Sequence, residues 1–364
     1  MKLNLHFTIL VLVFFTSRLK SQDADTNVPS VWKLKYYGES FITVKPNAEV
    51  NSKISEFQYN HNRLNSFNIN HSFIGIQHES QNVRINTALH FGTYVKDNYK
   101  NEPGLIKYIY EANAGFLVSK KNNIWMDAGV FPSFIGFEGV NAFDNSTLTR
   151  SLLAENSPYF LNGLRINYPK KNNIFNFYVL TGWQRILPLQ NNSLPSFGAQ
   201  WTKEFNQTNK LNWSFFVGTD YPDNDRKWRY FNNLYWKSSF GKWSYIAGLD
   251  IGTEQKQKKE NDLNFWWSPV LISSYEINKQ LKAAVRIEHY SDKNAVIIKT
   301  SNGQKMMGSG TSFNIDYQPN ASMLYRAEWR SLWSANQVFI TKSDYTKQTT
   351  YLSFSIAYKL DRML

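Results

Sequence analysis

The chain has no cysteine among its 364 residues. A disulfide framework, a thiolate metal site and a cysteine nucleophile are excluded with it. Histidine is scarce: His6, His61, His71, His78, His90 and His289 are scattered without metal-site spacing. After the first two dozen residues there is no run of ~18 apolar residues, so no apolar helix is available to cross a bilayer. No glycine-rich loop follows a strand and opens a helix, which removes the common phosphate cradles. Acidic residues are the minority, 28 against 41 Lys and Arg, for a formal net charge of +13. Such an excess suits nucleic acid, anionic lipid or an anionic solute. No basic helix, paired-Cys or helix-turn-helix pattern accompanies it, so nucleic acid drops out. Large rings, by contrast, abound: 12 Trp, 21 Tyr and 26 Phe in a chain whose mean hydropathy is -0.47. Transmembrane barrels have this mixture, because lipid-facing apolar residues alternate with lumen-facing polar ones between aromatic girdles.

The opening "MKLNLHFTILVLVFFTSRLKSQ" places Lys2 before an apolar run from Leu5 to Phe15, then small and polar residues. It reads as a signal peptide over 1–22, cut near Ser21–Gln22, and is too short to span a bilayer. An exported chain that reaches lipid without an apolar helix must close into a barrel, here residues 23–364. Period-two alternation supports this. Val83, Ile85, Thr87, Leu89 and Phe91 oppose Arg84, Asn86, Ala88 and His90; Leu352, Phe354, Ile356, Tyr358 and Leu360 oppose Ser353, Ser355, Ala357 and Lys359. Strands are predicted near 32–44, 64–76, 83–95, 108–118, 124–132, 159–168, 174–184, 196–205, 211–219, 228–238, 243–252, 263–275, 281–290, 311–318, 322–331 and 350–360, with no sustained helix. Short links such as "SKKNN", "PKKNN" and "FGK" alternate with long polar ones. The fold class is therefore all-β: a transmembrane antiparallel up-and-down β-barrel of about 16 strands, with short periplasmic turns and long outer loops.

Parity turns Lys33, Lys35, Glu39, Arg84, Glu111, Arg165, Arg229, Lys237, Asp250, Arg286, Glu288, Arg326, Glu328 and Arg330 inward. On the lipid side each Arg or Lys would cost about 2–4 kcal/mol at the midplane. The basic excess favours anionic solutes; the plainer reading is mutual pairing, with Arg286-x-Glu288 and Arg326-x-Glu328-x-Arg330 on neighbouring strands.

The same residues carry a family resemblance. "AAVRIEHYSDKNAV" and "MLYRAEWRSLWSANQVF" resemble the R-x-E and R-x-E-x-R strands of the beta-barrel porins of the OmpL-like group, from Gram-negative bacteria. "DAGVFPSFIGFEGVNAFDNSTLTRSLLAENSPYFLNGLRINY" is similar to the group's strand–loop–strand, through Gly136, Glu138, Asn145, Arg150, Ser151, Pro158, Tyr159, Gly163 and Arg165. The resemblance spans roughly 125 to 360. The end "KLDRML" departs from the terminal aromatic of many outer-membrane proteins.

The resemblance implies a porin: a passive diffusion channel for small hydrophilic solutes, without enzymatic activity or cofactor, in the outer membrane of a Gram-negative bacterium. Expected partners are outer-membrane lipid and lipopolysaccharide, the solutes, the barrel assembly machinery and further copies of the chain. Loop 133–158 is the candidate for folding inward. Glu138, set against wall arginines such as Arg165, would impose a transverse field on the solute; alternatively, Glu138 and Arg150 latch the loop to the wall. Arg84, Glu111, Arg286, Glu288, Arg326, Glu328 and Arg330 complete the expected lumen set. Two rival readings stand beside this one. His289 and Ser291 have the His-x-Ser look of barrel hydrolases of the lipid A deacylase or phospholipase kind, though His289 falls on the lipid-facing parity. A surface-binding barrel with a loop-plugged lumen is the other.

Overall fold

In the computed structural model, residues 30–342 and 344–364 are described; the expected signal peptide lies outside them. Alternation builds the architecture. Sixteen strands form one closed barrel: β1 (Val31–Val44), β2 (Phe67–Glu79), β3 (Val83–Phe91), β4 (Ile109–Ser119), β5 (Ile124–Pro132), β6 (Phe160–Lys170), β7 (Asn173–Leu180), β8 (Ser196–Glu204), β9 (Lys210–Gly218), β10 (Arg229–Phe240), β11 (Trp243–Gln255), β12 (Leu263–Glu276), β13 (Leu281–Asp292), β14 (Met307–Asn320), β15 (Met323–Ser334) and β18 (Gln348–Met363). A hairpin of β16 (Phe339–Ile340) and β17 (Tyr345–Thr346) decorates the last long loop. Every barrel pair is antiparallel, and β1 closes on β18 with Lys33 opposite Met363 and Val44 opposite Leu352. Closure removes the unpaired edges that lipid could not satisfy.

The strands turn an apolar face outward, while the inner face mixes charged and polar groups with buried rings such as Phe231 and Trp266. Ile287 is 60% exposed and Ile356 50%, while the intervening Arg286 and Glu288, and Ser355 and Ala357, are buried. Lipid is the solvent that such an outer face requires. Rings girdle both ends. Tyr36 with Tyr358, Tyr317 with Tyr325 and Trp243 with Tyr275 sit toward the short-turn end, and Tyr230, Trp267 and Trp333 toward the long-loop end. The short turns use left-handed residues where the chain reverses, such as Asn123 (φ 51°) and Gly241 (φ 58°).

The expected strand set stands, with local corrections. The strand predicted over 83–95 stops at Phe91. Gly92, at φ 127°, turns the chain beside β2, where a Cβ would lie 2.3 Å from the Asn70 carbonyl oxygen. A short helix, Thr93–Asn98, then tucks Tyr94 and Val95 inward, so helix is present within two loops, here and at Leu152–Glu155. β14 begins at Met307 rather than 311, because its first inward positions, Gly308 and Gly310, carry no side chain to show alternation. β13 and β15 are not neighbours either: β14 runs between them. Its short inward residues let long side chains from both flanks meet above it. A Cβ at Gly310 would lie 3.0 Å from Glu288 Oε1.

Candidate pore constriction

The longest inward excursion joins β5 to β6. Its neck is closed by Ser133 N–H donating to Tyr159 O at 3.0 Å. Immediately beneath, Gly129 and Gly163 are cross-strand partners, at φ 123° and 154°. A Cβ at either would lie 2.1 or 2.0 Å from a neighbouring strand's carbonyl oxygen. Only glycine allows this pinch, which explains Gly163 in the strand–loop–strand pattern.

From the neck the loop crosses the lumen. Phe134 stacks on Tyr178 at 4.0 Å, and its carbonyl accepts from Gln200 and Ser214. Gly136 N–H donates to Asn233 Oδ1, and Ala142 N–H to the Tyr37 hydroxyl. The far wall then holds it with arginine and glutamate. Arg326 donates to the carbonyls of Ala142, Asn145 and Thr147 while gripping Asp316 at 2.8 Å. Arg286 reaches Thr149 O at 2.7 Å and Glu328 at 2.8 Å; Arg330 reaches Arg150 O at 2.9 Å and Glu288 at 2.6 Å. In return Glu328 and Glu288 accept from the N–H groups of Thr149 and Leu152. Ser157 completes the circuit by donating to Asp250 at 2.6 Å.

Glu138 and Arg150 do not face one another across water. Glu138 accepts from the N–H and hydroxyl of Ser151, which caps the short helix Leu152–Glu155. Arg150 is wholly buried and donates to the carbonyls of Gly139, Val140 and Leu148. Nor does Glu138 oppose Arg165. Arg165 and Arg84 both bind Asp127, at 2.9 and 2.5 Å, on the wall beside β5. Their side chains stay 28% and 22% exposed, and Glu111 nearby is only partly buried. So of the ten expected lumen residues, seven are buried: Glu138, Arg150, Arg286, Glu288, Arg326, Glu328 and Arg330. Arg84, Glu111 and Arg165 are only partly buried.

Two polar cavities flank the loop. The outer one, about 640 Å3, is bounded by residues such as Lys53, Glu155, Arg185, Asp220 and Arg229; the inner one, about 660 Å3, by Asp144, Lys210, Lys237 and Lys282. A 60 Å3 gap lies against Glu138, Tyr110 and Ser157.

Sequence reasoning did not locate three features. Loop 45–66 also folds inward: its His61 lies 2.9 Å from Glu39, and its Tyr59 and Asn60 N–H groups donate to Glu155. Burial pushes the Glu155 carboxyl up to about 7 despite those donors. His71 Nε2 and His90 Nδ1 meet at 3.0 Å across β2 and β3; parity alone places His90 inside, but register is needed to bring His71 to it. Asp127 and Asp316, which bind Arg84 and Arg326, were readable from period two and escaped the expected set, whereas Glu254, which binds Arg229, lies on β11 beyond the predicted end at 252. His289 lies on the outer face, where its Nδ1 meets Ser309 Oγ at 2.8 Å and its ring rests 5.1 Å from Trp267.

Solved structures share this architecture at low identity. An anion-selective porin from Comamonas acidovorans matches with TM-score 0.57 at 9% identity, over 92% of this chain and 99% of that one. OmpF of Salmonella typhi in complex with daunomycin matches with TM-score 0.56 at 11% identity, over 91% and 97%. The trimer form of OmpT, an outer membrane protein of Vibrio cholerae, matches with TM-score 0.57 at 8% identity, over 91% and 99%. No curated protein sequence matches the chain. At the level of sequence, the family model described as "Putative beta-barrel porin-2, OmpL-like" matches residues 36–360, and the chain belongs to that family of outer-membrane barrels.

Proposed function

We propose that the protein is a passive channel of a Gram-negative outer membrane, which admits small hydrophilic solutes and favours anions. The observation that carries this reading is the pair of polar cavities on either side of a loop latched across the lumen. A solute would pass from one to the other beside the β3–β6 wall, where Arg84, Arg165 and Glu111 keep partial exposure. On this reading the seven buried residues hold the loop in place, and those three line the path. The basic excess supports the anion preference: beyond the expected signal peptide, 38 Lys and Arg stand against 28 Asp and Glu. The work is done by bore, charge and loop, without a chemical step. The His289–Ser291 alternative loses ground, since His289 bonds Ser309 on the face turned to lipid. Assembly as a homo-oligomer belongs to the proposal and is checked by sizing in detergent.

One observation favours a second reading, a plugged barrel. Loop 45–66 and the helix Thr93–Asn98 also pack inward, with Phe57, Tyr94 and Tyr99 buried. Planar-bilayer recording separates the two. A channel shows stepwise conductance; a plugged barrel, correctly folded and inserted, shows none.

A further inference from the structure

The inner cavity has a wall that its own charges do not balance. Three of its lining residues are lysines, Lys210 on β9, Lys237 on β10 and Lys282 on β13. Lys210 and Lys237 are direct cross-strand partners. Like charges placed opposite each other destabilise a sheet, so this pairing works against the fold unless something relieves it. The neighbouring acids do not. Glu204 is opposite Lys210 on β8, exposed, and forms no ion pair with it. Lys282 has Asp316 opposite it on β14 and Glu276 on β12; Arg326 takes both Asp316 oxygens at 2.8 Å, and Glu276 is exposed and forms no ion pair with it. Lys237 Nζ donates to Phe137 O at 3.1 Å and lies 5.6 Å from the Phe137 ring and 5.9 Å from the Tyr235 ring, without an ion-pair partner. Among the described residues, the lysines within 4.0 Å of a carboxylate oxygen are Lys53 and Lys256. Ser238, Ser239 and Ser244 also line this wall, Ser238 donating to Asn209 Oδ1 and Ser239 and Ser244 bonded to each other at 2.8 Å. Two acids line the cavity as well, Asp144 from the loop and Glu204 from β8, so the lysines outnumber them by one.

We propose that this cavity is an anion-binding site for a small dianion of the phosphate class, held by Lys210, Lys237 and Lys282. An ammonium binds a phosphate as a compact point charge, and three of them around one cavity suit a doubly charged oxyanion. The site deepens the channel reading and rests on it only for the route by which the anion arrives. Its place at the short-turn side of the loop puts it beyond the loop for a solute that enters from the long-loop side. Conduction requires such a site to bind strongly enough to draw the ion in and weakly enough to release it.

The test uses the full barrel, with Lys210, Lys237 and Lys282 all changed to Gln. A charge-matched control changes Lys256, Lys258 and Lys259, in the exposed 256–262 loop, to Gln. Inorganic phosphate is titrated from the short-turn side of a planar bilayer carrying chloride current. The wild type and the control should show saturable block, and the half-blocking concentration should rise roughly tenfold or more in the triple variant, a loss of about 1.4 kcal/mol. Lys237→Gln alone should move it in the same direction and serves if the triple variant does not fold. Equal block in all variants, or the same loss in the control, overturns the site. If the wild type inserts but does not conduct, phosphorus NMR line broadening in detergent takes over. Broadening that is lost in the lysine variants keeps the site while the channel reading fails; no broadening by the wild type overturns the site.

Discussion

Arg150 shows what single residues do inside this barrel. Its guanidinium has lost its water and donates to three loop carbonyls. Hydrogen bonds to charged groups contribute about 1.5–3 kcal/mol each. Arg150→Met leaves those carbonyls without their donor, so the expected result is a barrel that still assembles, with a thermal midpoint lowered by several degrees in circular dichroism. Glu138→Gln should act similarly and more mildly, because its carboxylate caps Ser151 rather than facing solute; the reversal potential should stay at the wild-type value. On the lipid side the sign of the argument changes. Ile356 is half exposed on the outer face, and Ile356→Arg should block membrane assembly at a cost of about 2–4 kcal/mol, read as loss of the heat-modifiable folded band. Which way each residue points was legible from period two. Which partner it meets was not, since Arg326, Asp316 and the loop carbonyls come together only through strand register and the loop's path.

The loop over 133–159 is the element on which the account turns. Its inward fold was expected from its length and charge. Its manner of attachment was hidden, because most of its anchors are backbone groups, which carry no sequence signature. Deleting residues 136–152 should widen the lumen and raise single-channel conductance; an unchanged conductance with a lower melting temperature would mean that the loop only braces the wall. A second element, loop 45–66, is tied to the first through Glu155. The Glu155 carboxyl, raised from 4.5 to about 7, keeps its proton in the closed arrangement and would release it once exposed. The closed form therefore binds more protons than the opened one between those values, and its stability falls as pH rises across that window, then levels off above it. Hydrogen exchange over residues 54–64, corrected for intrinsic rates, should speed up between pH 5 and pH 8 in the wild type and lose that dependence in Glu155→Gln. The helix at Thr93–Asn98 escaped the sequence because it is a single turn and a half begun by Gly92, too short to show a period.

At the scale of the molecule, sixteen strands, closed pairing and the split between short turns and long loops were all readable, because lipid on one side and water on the other impose period two on every strand. The degree to which the loops fill the lumen was not readable, since loop packing follows no period. The central claim, that the two cavities belong to one solute path, is tested most directly by planar-bilayer recording of the refolded wild-type protein under a salt gradient. The account predicts discrete conductance steps and a reversal potential on the anion-selective side. That selectivity should weaken as salt rises from 0.1 M to 1 M and the Debye length falls from ~10 to ~3 Å. A folded, inserted sample that gives no steps would contradict it.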